Sequence, residues 1–437
     1  MATNIRKIAF ELLRSYEEEG RYVNLLLSSP RISSLSREER SAVTALLYTA
    51  VEKKMTYDYF TSAFSKRPIG DIDPYVRDVL RIGMCQIIDM KSIPDFAAVN
   101  ESVKLTRHKG EAGFVNAVLR AVSKSKDQLP YPKREKNLAR FLSVYYSVPL
   151  PTVKLFMSIV GEEECEALLG AMSQETGLSV TVNEERTTRE ALLEKLSHFS
   201  AKPSEITENG IVFEKSVSPR ELPGFDEGEF FVQDEASRMV ARVLGVNAGD
   251  KIIDVCSAPG GKAFAAAIKT GKSGSVKAFD IHESKISLIT DGAKRLGLSN
   301  LCAEVRDATA PDSSDFGCFD KVICDVPCSG LGVFGKKPDI RYKDLSSVES
   351  LPLLQYEILE KSSRYLKSGG ALVYSTCTIN PEENERVTDR FIAAHPEFSY
   401  EGMEICGIDF SSGKYTFMPH KNGTDGFYIA KLRKNND

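Results

Sequence analysis

The sequence predicts a multidomain chain: an all-α N-terminal domain, a small α+β module, and a C-terminal α/β domain with a mostly parallel sheet. Three observations predict it. Apolar residues recur at helical spacing throughout residues 1–128. Pro130 and Pro132 then forbid a continuous helix and mark a linker. In the C-terminal part short apolar strands alternate with helices, the pattern of a parallel sheet covered on both faces. A chain of 437 residues is also too long for a single core.

Residues 5–13 and 42–48 carry apolar side chains at helical spacing, residues 76–84 continue the pattern, and 113–120 give the last helix of the first domain. Pro30, Pro68, Pro74 and Pro94 fall between these segments, where helices begin or end. After the linker, residues 137–225 predict a ferredoxin/RRM-like module. In it 178–182 alternate as a strand, 189–199 form a helix and 211–214 give a second strand. Residues 226–437 predict strands at 251–255, 275–279, 301–305, 321–324 and 370–375, with helices at 284–296 and 349–367. Such a sheet binds ligands at the C-terminal ends of its strands.

Composition limits the function classes. No uninterrupted apolar run approaches the ~18 residues of a membrane span. The start, Met1-Ala2-Thr3-Asn4-Ile5-Arg6-Lys7, has no signal-type apolar core, so the cytoplasm is the expected location. Nine cysteines form no CxxC pair, and the five histidines have no ligand-like spacing beside them. That predicts free thiols and no metal site. The net charge of −4 is unevenly shared: residues 1–140 hold 24 Lys+Arg against 17 Asp+Glu, an excess of +7, which leaves −11 for the rest. A basic first domain suits a phosphate backbone, although ordinary solvated helices also vary this much.

The loop Cys256-Ser257-Ala258-Pro259-Gly260-Gly261-Lys262 follows a strand and opens a helix. Gly260 and Gly261 let the backbone approach a ligand closely. It is no P-loop, since Cys256 stands where the first glycine belongs and Ala263 follows the lysine. It is no GxGxxG either, so pyrophosphate is disfavoured. Asp280 ends the next strand 19 residues after Gly261, the spacing at which a carboxylate meets ribose hydroxyls. Asp307 ends the third strand and could meet an adenine edge. Each aspartate alone is better explained as a turn or cap residue, but three strand ends in series favour an adenosyl ligand without phosphate. S-adenosylmethionine is that ligand.

Two further strand ends carry cysteines: Asp325-Val326-Pro327-Cys328-Ser329-Gly330 and Ser375-Thr376-Cys377-Thr378. Carbon 5 of a pyrimidine is a poor nucleophile until a thiolate adds to carbon 6. Cys377 is the candidate nucleophile, and Asp325 could bond to N3 and the amino group of the base, with a raised pKa if it is also to supply a proton. Cys328 would then help remove the carbon-5 proton and eject Cys377. Cys302 and Cys324 read as small core residues, and Cys256 as packing within the donor loop.

These motifs resemble the RNA 5-methylcytosine methyltransferase family, specifically its bacterial RsmB (Sun) branch. The likeness rests on Gln233-Asp234-Glu235-Ala236-Ser237, the loop 256–262, the Asp325 and Cys377 motifs, and Lys337-Pro338-Asp339-Ile340-Arg341. Pro381-Glu382-Glu383-Asn384-Glu385 and Asp425-Gly426-Phe427-Tyr428 add to it. Ala97–Val103 and Phe114–Leu119 resemble that branch's NusB-like RNA-binding domain. The resemblance implies a Rossmann-like class I methyltransferase domain and ribosomal RNA of the small subunit as substrate. It also implies a donor site lined by residues 256–262, Asp280, Asp307 and Asp325, with Cys377 as nucleophile and Cys328 assisting release. Tyr342 stands where relatives often have tryptophan, and the chain has no tryptophan, so base stacking would fall to Tyr342 or a phenylalanine.

Three other readings compete. The same fold could alkylate DNA through Cys328. The helical domain could make the chain a non-catalytic RNA-binding protein. Amino-group methylation would need an aromatic residue where the Asp325-Val326-Pro327-Cys328 motif has its cysteine.

Overall fold

The computed structural model describes residues 4–174, 177–214, 217–405 and 407–436. Met1–Thr3 and Cys406 lie outside them. The chain divides into two compact units: residues 1–169 with 337–343, and residues 170–336 with 344–437.

The first unit is helical. Its elements are α1 (Ile5–Glu19), α2 (Val23–Leu27), α3 (Pro30–Ser33), α4 (Arg37–Glu52), α5 (Lys54–Ser65), α6 (Pro74–Met84), α7 (Asp95–Val103), α8 (Lys109–Lys124), α9 (Leu138–Tyr145) and α10 (Leu150–Val160). Helix α11 (Glu162–Met172) begins in this unit. The helices start where side chains can satisfy orphan backbone N–H groups. Asn4 caps α1, Ser36 and Glu39 form a reciprocal capping box on α4, and Asp73 precedes Pro74 at the start of α6. The core joins Phe10, Leu13, Leu47, Phe60, Leu80 and Leu119. Arg81 is buried beside Asp58 and Asp78, a charge tolerable there only because both carboxylates meet it.

Residues 337–343 complete this unit. The Arg341 guanidinium donates to the Tyr146 carbonyl at 2.7 Å and to Glu52 at 3.0 Å. The Tyr342 hydroxyl lies 2.8 Å from Ser147 Oγ and donates to the Glu52 carbonyl at 2.5 Å, with Lys54 over its ring.

The second unit contains β1 (Ser179–Val182), α12 (Arg189–Lys195), β2 (Ala201–Pro203), β3 (Gly210–Phe213) and β4 (Phe230–Val232). These strands form an antiparallel sheet in the order β2-β3-β1-β4. There follow α13 (Glu235–Leu244), β5 (Lys251–Asp254), α14 (Gly261–Thr270), β6 (Ser275–Asp280), α15 (Glu283–Leu296), β7 (Leu301–Val305) and β8 (Phe319–Asp325). The remaining elements are α16 (Leu351–Ser363), β9 (Leu366–Thr376), α17 (Glu385–Ala394), β10 (Phe398–Tyr400), β11 (Met403–Ile405), β12 (Ile408–Phe410), β13 (Lys414–Phe417), α18 (Pro419–Asn422) and β14 (Phe427–Lys434).

The large sheet runs β10-β14-β9-β8-β5-β6-β7, with β13 paired to β14. Strands β9, β8, β5, β6 and β7 are parallel, whereas β14, β13 and β10 join antiparallel. Both faces are covered, so adjacent residues feed different cores. Ile252, Ile323 and Val373 pack with α13 and α14, while Ile253, Val322 and Leu372 pack with α16 and α17. Cys324 is a core residue as predicted. Cys302 is not: it is exposed, because β7 is the edge of the sheet.

Strand order reverses at β5, which lies between β6 and β8. A parallel sheet opens its ligand crevice at that switch, outside the carboxyl ends of the strands. The loop 256–262 and Asp325 stand there.

Candidate active site

The donor loop leaves β5 at Asp254 and re-enters helix at Gly261. Ser257 N donates to the Phe279 carbonyl at 2.7 Å, fastening the loop to the end of β6, and Gly260 N donates to the Ser257 carbonyl at 2.7 Å. Gly260 has φ +110°, and a Cβ there would meet the Phe264 ring at 2.5 Å, so both conformation and space require glycine. An added Cβ on Gly261 would make ordinary contacts only, with Gln233 at 3.7 Å and the Val232 carbonyl at 3.8 Å. Cys256 is held up as a thiol by burial.

Asp254 was not singled out in the sequence, yet it is completely buried under this loop. Burial first, and then the nearby Asp325, push its carboxyl up to about 7. Neither of its oxygens, nor the buried Ser257 hydroxyl, has a hydrogen bond of good geometry among the described residues. Buried polar groups are seldom left so. Ser257 and the Cys256 N–H reach the carboxyl only weakly; an under-satisfied acid beneath a glycine turn fits a cationic ligand such as S-adenosylmethionine, and residues 256–262 with Asp254 would hold it.

Asp280 is buried at the end of β6 and accepts from His282 N at 3.0 Å. Asp307 follows β7 and accepts from Thr309 N and Oγ1 at 2.8 and 2.7 Å. Both make the turn bonds that short acidic side chains favour, each through Oδ1.

Asp325 has both oxygens engaged. Lys262 Nζ donates to Oδ2 at 2.6 Å and Ser375 Oγ donates to Oδ1 at 2.6 Å. Burial works against the Lys262 charge, but the Asp325 carboxylate more than restores it and holds the ammonium above its usual range. Cys377 lies close enough to add to that effect. Lys262 thus stands as an ammonium group beside Asp325. Lys262 also lies 5.4 Å from the centre of the Phe427 ring.

The two cysteine turns meet. Cys328 Sγ is 3.1 Å from Cys377 Sγ, and both residues are half-buried. The bond to Cys377, burial, and the negative charge of Cys377 and Glu383 push the Cys328 thiol well up. Behind the turns, Gly332 N donates to the Cys377 carbonyl at 3.0 Å, and Gly426 N donates to the Gly332 carbonyl at 2.9 Å. A Cβ on Gly332 would lie 2.0 Å from the Gly426 oxygen, so two backbones touch where no side chain fits.

A second charged group, Lys336 between Asp234 and Asp425, lies in the same unit. Burial and Asp234 raise Asp425 to about 6. Sequence reading found these aspartates only as motif letters, since nothing local pairs residues 234, 336 and 425. Tyr342 belongs to the helical unit, where its half-buried ring packs on the core and its hydroxyl is bonded. The open cavity of the helical unit is lined by Arg14, Arg77, Arg81 and Arg107, but equally by Glu17, Glu18, Asp73 and Asp78. That cavity does not carry the basic excess of the domain. Among the described residues no group of three or more His, Cys, Asp or Glu could hold a metal ion, and no helix is long and apolar enough to cross a membrane.

Comparison with known proteins agrees with this geometry. Residues 241–433 match the 16S rRNA methyltransferase RsmB/F family, and residues 3–124 match the NusB family. The chain is 34% identical over 449 residues to a probable ribosomal RNA small subunit methyltransferase B of Bacillus subtilis (strain 168), covering 99% of each. It is 31% identical over 443 residues to a protein of the same description from Synechocystis, covering 98% of this chain and 99% of that one. Its fold is similar to the crystal structure of PH0851, with TM-score 0.79 at 24% identity, covering 99% of this chain and 100% of that one. It is also similar to NSun6 from Pyrococcus horikoshii with SFG, with TM-score 0.59 at 24% identity over 66% of this chain and 99% of that one. Full-length likeness to methyltransferases B, with a NusB segment before an RsmB/F segment, decides the assignment: this chain belongs to the RsmB/F family of S-adenosylmethionine-dependent 16S rRNA methyltransferases.

Proposed function

We propose that the enzyme methylates carbon 5 of a single cytosine in small-subunit ribosomal RNA, in the cytoplasm, through a covalent bond from Cys377 to carbon 6. One observation carries the reading: two thiols 3.1 Å apart beside the Lys262–Asp325 pair. A cytosine lying over Cys377 could meet Asp325 and Lys262 at N3 and the amino group, where charge develops on attack. The Cys377 sulfur adds to carbon 6, and the carbon 5–carbon 6 π pair becomes the nucleophile. S-adenosylmethionine supplies the electrophilic methyl group. Cys328 then helps to remove the carbon-5 proton, the C–H pair restores the ring double bond, and Cys377 leaves as thiolate.

A cation near a sulfur favours the thiolate that attacks, and Lys262 is near Cys377. The target base must leave its stack to reach a half-buried thiol, so unpaired or partly assembled RNA is the substrate form.

The test is a covalent-trapping gel with ribosomal RNA and methyl donor, using wild type, Cys328→Ala and Cys377→Ala. Cys328→Ala should accumulate a slow-migrating adduct and Cys377→Ala none. An adduct with Cys377→Ala instead would reverse the roles and favour Cys328 as nucleophile. Methylation without an adduct in any protein would remove the covalent mechanism.

A further inference from the structure

Behind the paired thiols lies a carboxylate that the reaction above does not use. Glu383 sits in the turn between β9 and α17 and is completely buried. Its Oε2 accepts from Ser329 N at 2.8 Å and from Gln355 Nε2 at 3.0 Å, and its Oε1 accepts from Asn380 Nδ2 at 3.1 Å. All three are neutral donors. Gln355 Nε2 also donates to the Pro327 carbonyl at 3.0 Å. The backbone groups on either side of Cys328, Pro327 C=O and Ser329 N–H, are thus both fixed by the Glu383–Gln355 pair.

The next residue serves the other thiol. Asn384 Nδ2 donates to the Thr378 carbonyl at 2.9 Å, and Asn384 Oδ1 accepts from Thr376 Oγ1 at 2.6 Å. Adjacent residues of one turn therefore hold the two cysteine loops, Glu383 that of Cys328 and Asn384 that of Cys377. A hydroxyl bond also ties the loops directly, Ser329 Oγ to Thr378 Oγ1 at 2.9 Å. A buried carboxyl group is costly unless its bonds are kept, and these three bonds fix the turn.

We propose that Glu383 is a positioning residue: it fixes the turn that presents Cys328 beside Cys377, and the step it controls is release of the nucleophile rather than its attack. The assignment of the step rests on the proposed reading of Cys328, whereas the assignment of the turn rests on the geometry alone. Glu383→Gln replaces one acceptor oxygen by an NH2 among three donors, so the Ser329 and Asn380 bonds cannot both survive. Cys377, held by Asn384, keeps its place.

The experiment has two arms. In the first, single-turnover reactions with ribosomal RNA and S-adenosylmethionine follow formation and decay of the adduct in wild type, Glu383→Gln, Cys328→Ala and the double variant. Adduct decay should slow about tenfold or more in Glu383→Gln, with formation changed by less than about threefold. In the double variant decay should match that of Cys328→Ala, since both changes remove the same group. Equal slowing of formation and decay, unchanged decay, or effects that multiply in the double variant would overturn the proposal.

The second arm needs no RNA. The thiol oxidant diamide takes both thiol hydrogens and joins Cys328 to Cys377, and mass spectrometry counts the crosslink. Its rate should fall about tenfold in Glu383→Gln, and an unchanged rate overturns the role of Glu383 in the turn. If Cys328→Ala methylates RNA without an adduct, the release step falls with the cytosine reading, and this arm alone then decides the role in the turn. Should Glu383→Gln not fold, Gln355→Leu, which frees the Pro327 carbonyl, takes its place with the same expected direction in both arms.

Discussion

Lys262 Nζ stands 2.6 Å from Asp325 Oδ2, where strand order reverses within the parallel part of the sheet. The lysine comes from the helix after β5 and the aspartate from the end of β8, so the ion pair bridges the crevice that receives the ligands. Breaking such a pair from one side leaves the other charge without compensation. Asp325→Asn should therefore lower stability by about 1–3 kcal/mol, a partial burial keeping the loss below that of a fully buried pair. Adding Lys262→Met should recover most of the stability and none of the methylation. Chemical denaturation of the two variants, beside a methyl-transfer assay, checks both outcomes.

Asp254 gives a pH signature. Its carboxyl is about 7 in the folded chain and near 4 when unfolded. Between these values the folded state binds the extra proton, so this group makes stability fall as pH rises from about 4 to about 7, by on the order of 4 kcal/mol. Asp254→Asn should raise the melting temperature at pH 8 and leave it nearly unchanged at pH 4.5. If Asp254 faces the cationic donor, binding of S-adenosylmethionine near pH 6 should release a proton, read as a buffer-dependent heat in titration calorimetry, and the variant should lose that release.

Gly260 combines a left-handed backbone with a ring 2.5 Å from any added Cβ. Gly260→Ala should cost about 1–3 kcal/mol from the backbone alone and weaken donor binding in equilibrium titration. Shrinking the ring with Phe264→Leu should return only part of the loss, because φ remains unsuitable.

Tyr342→Phe separates packing from base stacking. The lost hydroxyl leaves the Glu52 carbonyl and Ser147 with one bond fewer, at about 1–2 kcal/mol. RNA affinity per folded molecule should not change. A loss of affinity larger than the loss of folded protein, measured by filter binding and thermal melting together, would return Tyr342 to the RNA surface.

The parallel core of the sheet was legible because apolar runs such as Lys251-Ile252-Ile253-Asp254 can be buried on both faces only as inner strands. The cysteine turns were legible for a related reason: Pro327, Ser329 and Gly330 break the strand just where a thiol is left over. Three things were not. Strand β14 mixes Lys431, Arg433 and Lys434 with its apolar residues, and its place beside β9 is a long-range pairing that no local period announces. Cys302 looked like a core residue because edge position is a property of strand order, not of the strand. Asp254 and Glu383 carry their meaning in what surrounds them, complete burial beside Asp325 in one case and three neutral donors in the other.

The meeting of Gly332 with Gly426 has a consequence for what the fold tolerates. The contact joins backbone to backbone across ninety-four residues of chain, and an added Cβ on Gly332 would lie 2.0 Å from the Gly426 oxygen. The Cys377 carbonyl is tied to the same point, so a side chain at residue 332 would part the two backbones that support the thiol pair without touching either thiol.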